Sequence, residues 1–435
     1  MKYIIAIVFM TALLPGFGGN INLGFFYLSP LRLAIILLPI IYAGERMLRI
    51  RKEKYCLKSL NIRSILFMWI WFLYSLLTVF WCKDLAAWQH GEYFIFIGIW
   101  TMMFFDMSDL KEKDFVDILK CAQIAIVIHN LLGWFEIFTH KYLFASEERI
   151  AIFRSSKKYY PVSTMMNQND FVMVLILGIC LSVLFLVISK KWYMKLFNSF
   201  ILGSCIGLGV LTDSRLGMVG MMIVLLCFAI FLIPKKHKRY IIGTGIALIA
   251  LSMAVLPRLY LKIPEMLGEI KGLDFSNATV NSDAVRFNLI KNGFIYLKET
   301  WGVGVGTGNA DYWLQVDPVY YVRGFTNMHN WWGELLTNFG IIIFILYLVF
   351  YFSLLCSLYK KYKLTDSFKM KITYISVISF MAAFVIASMS SSSNWGKEWL
   401  WIWWAFLIAL QGYSDKNENA IREVNDTFEA KVGRV

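Results

Sequence analysis

The sequence predicts an all-α, polytopic integral membrane protein with about twelve transmembrane helices and a long extracytoplasmic loop containing an amphipathic helix. Three observations carry this. Of 435 residues, 58% are hydrophobic and 17% aromatic, and the mean hydropathy is +0.59, more apolar surface than a soluble core of this length buries. Apolar runs of spanning length recur along the chain. Lys and Arg gather in alternate connections between them, the charge pattern of a membrane topology rather than of a nucleic-acid surface, although the net charge is +14.

In chain order, spans are expected at Lys2–Phe17, Leu31–Leu48, Ser64–Trp81, Tyr93–Phe105, Phe115–Phe138 and Asn169–Ile188. Others follow at Leu196–Leu211, Leu216–Ile233, Ile241–Leu256, Trp331–Leu358, Ile372–Met389 and Trp399–Tyr413. The first resembles a signal peptide, but Pro15-Gly16-Phe17-Gly18-Gly19 offers no small-x-small cleavage site, so it reads as a retained span. Seven basic residues fall within Arg46–Arg63, three within Lys190–Lys195, four within Pro234–Arg239 and five within Tyr359–Lys371, whereas Gly18–Pro30 and Thr212–Ser214 carry none. The positive-inside rule makes the basic set cytoplasmic, with both termini on that side. Residues 1–413 form one transmembrane domain that includes the long outer loop 257–330, and 414–435 form a cytoplasmic C-terminal tail. The Trp-rich stretch at Trp395, Trp399, Trp401, Trp403 and Trp404 reads as an interfacial belt running into the last span. Seven scattered cysteines without a C-x-x-C pair or a His/Cys cluster argue against a disulfide framework and against zinc.

Three outward-facing places share one design, a polar cap followed by a helix. At Thr212-Asp213-Ser214-Arg215, Asp213 or Ser214 caps the helix from Leu216, leaving Arg215 near the membrane boundary. There it either meets an anion at the helix N-terminus or snorkels to headgroups. At Ser282-Asp283-Ala284-Val285-Arg286, Asp283 is the expected N-cap. Phe287, Ile290, Phe294, Leu297 and Trp301 recur at helical spacing, which predicts an amphipathic helix on the membrane or on other helices. Arg286 then sits in the first turn, as an anion ligand or as part of the polar face. The third place is His329-Asn330 before the Trp331 helix, where a neutral His can be a base and a charged one can bind phosphate. Glu334 on the same helix is placed to orient the imidazole or to serve as the base. Asn167-Gln168-Asn169-Asp170 opens another helix on this face, and the amides of Asn167 and Asn169 suit a hydroxyl-rich ligand as well as they suit capping. Trp301–Asn309 is glycine-rich but lacks the strand-turn-helix setting of a nucleotide fingerprint, and reads as a flexible turn.

Together these residues resemble the bacterial O-antigen ligase and Wzy-type polysaccharide polymerase superfamily. The likeness rests on Ser214-Arg215-Leu216-Gly217, the Trp-Gly-Val-Gly-Val-Gly stretch from Trp301, and His329-Asn330 followed after nine residues by Gly340. Arg286 and Gly302, with fifteen residues between them, resemble a spacing of the polymerases. Ile343 departs from the small or polar residue of many members. The resemblance implies an enzyme at the outer face of the bacterial cytoplasmic membrane whose substrate is an undecaprenyl-diphosphate-linked glycan, with no cofactor or metal and no nucleotide sugar. Arg215 and Arg286 would bind the lipid diphosphate, His329 would lie by the acceptor hydroxyl, and Asn330, Glu334, Asn167, Asn169 and Asp213 would contact substrate. A polymerase of lipid-linked repeat units, of capsular or teichuronic type, is the first reading and a ligase to a different acceptor the second. A flippase or chain-length regulator is a candidate partner. A lipid-linked sugar transporter is the alternative of another class, because Glu92, His129 and Glu136 lie in or near spans.

Overall fold

A computed structural model describes residues 1–22, 27–50, 62–233, 282–391 and 394–413. The span expected at 241–256, the first part of the long loop, the basic stretches 51–61 and 234–239, and the tail 414–435 lie outside the described residues.

The described chain is a helical bundle. Its helices are α1 (Lys2–Leu13), α2 (Pro30–Ile50), α3 (Ile62–Leu77), α4 (Leu85–Met107), α5 (Glu112–Thr139), α6 (Glu147–Ser156) and α7 (Gln168–Ile188). They continue with α8 (Trp192–Leu211), α9 (Arg215–Leu232), α10 (Ser282–Glu299), α11 (Asn309–Val316), α12 (Trp331–Leu364), α13 (Phe368–Ala387) and α14 (Glu398–Gln411). Among the described residues the only sheet is a small hairpin, β1 (Ile21–Asn22) and β2 (Tyr27–Leu28), joining α1 to α2. Six helices, α5, α7, α8, α9, α12 and α13, are long and apolar enough to cross a membrane, and Lys2–Leu13 and Ile65–Phe80 are shorter apolar helices. α7 is enclosed by α5, α8, α9 and α13 and is apolar all round, as a helix at the centre of a bundle must be.

Three expectations change. The Trp-rich segment is not an interfacial belt: Trp395, Trp399, Trp401, Trp403 and Trp404 are all buried, with ring contacts to Trp71, Phe380, Phe384 and Phe406. α14 runs through the bundle against α4, so its indoles fill the core instead of meeting headgroups. α10 begins at Ser282, which puts Asp283 inside the helix rather than at its cap. The face of α10 that packs on the protein is Val285, Asn288, Leu289, Asn292, Tyr296 and, from the expected apolar stripe, Leu297, while Phe287, Phe294 and Trp301 of that stripe are exposed, as on a helix laid against a membrane. The amides explain the choice. Asn292 exchanges two hydrogen bonds with the Tyr320 backbone (2.8 and 2.9 Å), and Asn288 donates to the Tyr321 carbonyl (2.9 Å), tying α10 to the incoming chain.

The glycine-rich segment is a pinned strap, not a flexible turn. α12 breaks at Gly340 (φ 74°, ψ −176°), and the strap enters the break. Val305 N donates to the Thr337 carbonyl and Gly306 N to that of Asn338, while Ile341 N donates to the Gly302 carbonyl. Carbonyls and an amide lost from the helical ladder at the kink are thus satisfied by the strap, as a low-dielectric surrounding requires. The approach is so close that a Cβ on Gly340 would lie 2.2 Å from the Gly302 oxygen, which explains the glycine that follows Asn330 after nine residues. The Trp81 indole and the Tyr74 hydroxyl hold the strap's other edge, and Asn309 exchanges hydrogen bonds with the Asp84 backbone. The strap therefore joins α3, α4 and α12 and fixes the base from which the His329 loop rises. Ile343, the departure from the family pattern, is buried one turn beyond the kink.

Candidate active site

At the end of the bundle where α7 and α12 begin, a cavity of about 490 Å³ opens, and segments far apart in sequence line it. Asn167, Gln168, Asn169 and Asp170 come from the start of α7, Arg149 from α6, Arg286 from the second turn of α10, His329 from the loop before α12, and Lys397 from the residue before α14.

Local chemistry fixes each one. Asn167 caps α7, its side-chain oxygen accepting from Asn169 N at 2.8 Å. Asp170 is buried and paired with the Lys397 ammonium at 2.7 Å, a bond that fastens the start of α14 to the start of α7. Ser146 caps α6 and so sets Arg149 in its first turn. His329 has a left-handed backbone (φ 45°), held by an Asx turn in which Asn327 Oδ1 accepts from His329 N, and its ring meets Phe325 edge to face at 5.4 Å. Asn330 caps α12, its side-chain oxygen accepting from the backbone N–H groups of Trp332 and Gly333.

The electrostatics favour an anion. Three cationic side chains, Arg149, Arg286 and Lys397, line the cavity with one carboxylate, Asp170, which Lys397 already neutralises. The N-termini of α7 and α10 add the positive ends of their dipoles. Desolvation, then the Arg286 charge, pushes the His329 imidazole down to about 4, with Arg149 and Lys397 acting in the same sense and Asp170 opposing. The ring is therefore neutral near pH 7. Its Nδ1 is buried and has no hydrogen-bond partner among the described residues, an acceptor or donor left for a ligand.

Of the residues singled out from sequence, His329, Arg286, Asn167 and Asn169 come together on this cavity. Arg215 and Asp213 do not line it. Arg215 begins α9 with its side chain exposed, and Ser214 rather than Asp213 is the cap. α9 nevertheless starts beside the first turns of α7, where a Cβ on Gly217 would lie 2.4 Å from Val172. Asn330 is committed to capping. Glu334 is buried on the first turn of α12 and is not among the lining residues. Arg149, Gln168, Asp170 and Lys397 join the lining without having been singled out as ligands. For Lys397 a signal existed: a lone cation directly before an apolar span on the expected outer face, against the positive-inside trend.

The buried ionisable groups behind the transporter alternative are engaged structurally. Glu92 accepts from Ser75 (2.8 Å), Glu136 accepts from the backbone N–H groups of Val162 and Ser163 (2.8 Å each), and both ring nitrogens of His129 are bonded, to the Leu13 carbonyl and to Ser163.

A cavity at the end of the bundle that gathers cations beside a neutral histidine is suited to an anionic ligand, and two comparisons with known proteins bear on what that ligand is part of. Residues 200–348, which include Arg215, Arg286, His329, Asn330 and Gly340, match the O-antigen ligase family Wzy_C. The chain is also 28% identical over 393 residues, 89% of its length and 80% of the relative's, to the teichuronic acid biosynthesis protein TuaE of Bacillus subtilis (strain 168). The resemblance to the O-antigen ligase and Wzy-type superfamily therefore holds, and both matches support a membrane polysaccharide polymerase or ligase of cell-surface glycan assembly.

Proposed function

We propose that the protein polymerises glycan repeat units carried on undecaprenyl diphosphate, at the outer face of the cytoplasmic membrane, as one step in making an anionic wall or capsular polysaccharide. The similarity to a teichuronic acid biosynthesis protein supports the polymer class. The observation that carries the reading is the meeting of Arg286, Arg149 and a neutral His329 on one cavity at a membrane end. The helix ends bearing Lys190–Lys195 and Lys360–Lys371 lie at the other end of the bundle, which supports an outward-facing cavity.

In this mechanism Arg286 and Arg149 grip the diphosphate, with Arg215 reaching it from the start of α9. Charge-assisted bonds stabilise the negative charge that grows on the departing phosphate oxygen. The acceptor hydroxyl attacks the anomeric carbon from the opposite face. The new C–O bond forms as the C–O bond to phosphate breaks, its electron pair leaves with the lipid diphosphate, and the hydroxyl proton passes to His329 Nδ1. A neutral imidazole is the form this step needs. Asn169 and Gln168 hydrogen-bond sugar hydroxyls along the α7 wall.

The test uses purified protein in nanodiscs, an undecaprenyl-diphosphate oligosaccharide from the native host and no nucleotide sugar, following free lipid diphosphate and product size. A ladder of lengths is the expected result. Transfer only to an added, different acceptor would make the protein a ligase, and no released lipid diphosphate would remove the glycosyltransferase reading.

A further inference from the structure

A second cavity, of about 260 Å³, lies beside the first. It is bounded by the end of α1 (Thr11 to Phe17), the hairpin residues Asn20 and Tyr27, the start of α2 (Ser29 to Arg32) and Glu398. Among the described residues none lines both cavities, but consecutive residues of one segment line each. Lys397 lines the larger and Glu398, the next residue, lines the smaller. The segment 144–149 spans both as well: Phe144 packs on Phe17 at 6.2 Å between ring centres, while Arg149 faces the larger cavity. His129, bonded to Leu13 at the end of α1 and to Ser163 ahead of α7, locks the two walls in register.

The floor of the small cavity is a built cluster. Glu398 accepts from the Tyr93 hydroxyl (3.1 Å) and pairs with Arg32 (3.6 Å), and the Arg32 guanidinium lies over the Tyr93 ring and donates to the Tyr27 carbonyl (2.7 Å). Above it stand the half-exposed rings of Phe17 and Tyr27 and the exposed amide of Asn20. Aromatic faces beside a carboxylate, a guanidinium and an amide are the surface that a sugar ring needs, with apolar C–H faces to stack and hydroxyls both to accept from and to donate to.

We infer that this second cavity binds the acceptor glycan. The inference rests on the transfer reading above, since joining two glycans requires two glycan sites that meet at the reacting carbon. The wall at Lys397 and Glu398 is that meeting place. The Lys397 charge reaches His329, so an acceptor lying over Glu398 directs its terminal hydroxyl past Lys397 toward the imidazole. The diphosphate stays on the Arg286 side.

Two readouts on the full-length protein in nanodiscs test this. The first is saturation-transfer binding of the lipid-free repeat oligosaccharide, released from the host's lipid-linked pool by mild acid. The second is turnover with acceptor and donor titrated separately. Asn20→Trp fills the cavity from an exposed loop position and leaves the fold alone, and Glu398→Gln removes the carboxylate charge while keeping an acceptor for Tyr93. Both variants should weaken oligosaccharide binding and raise the acceptor KM at least about tenfold, with donor KM and kcat within about twofold. Should Glu398→Gln fail to fold, Asn20→Trp decides alone. Unchanged oligosaccharide binding in Asn20→Trp, absence of binding to the unsubstituted protein, or equal losses in donor and acceptor KM would each overturn the assignment. If the unsubstituted protein releases no lipid diphosphate, the transfer reading falls, while the binding comparison still decides whether this cavity takes a glycan.

Discussion

His129 and His329 are both drawn out of water, yet they do opposite things. His129, in the middle of α5, is fully buried with both ring nitrogens bonded to protein, one to the Leu13 carbonyl and one to Ser163. His329 sits in a loop on a left-handed backbone, with three cations around its cavity and Nδ1 without a partner among the described residues. The first closes a hydrogen-bond account inside the bundle. The second is held in an unfavourable conformation with a polar atom unspent, and such strain persists where the surroundings impose it, commonly at ligand sites. In a membrane protein, then, the presence of a histidine in the bundle says less than whether its nitrogens are already taken.

Breaking the comparison from the His329 side gives the largest effect. His329→Ala should lower turnover by about 10²-fold or more, the usual worth of a positioned proton acceptor, with unfolding temperature and lipid-diphosphate binding little changed. His329→Gln sharpens it, because an amide can guide a hydroxyl but cannot take its proton. Equal losses in the two variants mean a base, and substantial recovery in Gln means a guide. Next in size is Arg286→Lys. An ammonium cannot copy the two-pronged grip of a guanidinium on phosphate, so kcat/KM for the lipid-linked donor should fall at least about tenfold. Near-normal turnover would take Arg286 out of the site.

From the other side, His129→Leu should cost about 1–3 kcal/mol of stability, because the Leu13 carbonyl and the Ser163 hydroxyl lose their partner in a buried place. The measurement is the unfolding temperature in detergent, set against turnover per folded molecule. A stable His129→Leu protein with lost turnover would reverse the roles assigned to the two residues.

What could be read from the sequence follows from what is local. Caps are local, so Asn167 and Ser214 were legible from their place before apolar runs, and the His-Asn pair with Gly340 was legible as a motif, although Asn330, expected to contact substrate, caps α12. The reason for Gly340 was not. It lies in a strap nearly forty residues upstream, Gly302 to Gly306, whose amides replace helix bonds at the kink. A run of glycines looks flexible until its partners are known. The apolar stripe of α10 was legible from its spacing, but the side of the helix that packs on the protein was not, because Asn288 and Asn292 find their partners on the backbone of residues 320 and 321. Trp403 and Trp404 look like anchors in one dimension and are core in three. Arg149 was invisible for another reason: a cation in an outer loop resembles any solvated charge until α7, α10 and the His329 loop converge around it.

The smallest and most diagnostic effect is on pH dependence. Burial and the neighbouring Arg286 bring His329 down to about 4 from its ordinary value near 6.5. Between those values the unfolded chain takes up a proton that the folded one refuses. Stability contributed by this group is therefore complete above pH 6.5, declines as pH falls toward 4, and changes no further below that. Turnover that requires the neutral ring should likewise keep its acid limb near pH 4, leaving kcat/KM flat from about pH 5 to 7. Arg286→Gln removes one of the charges that depress the imidazole, so whatever activity survives should show its acid limb moved upward, toward 6.5. Both ring nitrogens of His129 are taken by Leu13 and Ser163 rather than by Arg286, so no variant at 286 should change what His129→Leu does to stability. An acid limb that stays in place in Arg286→Gln would separate His329 from Arg286, and with it the cavity's central pairing.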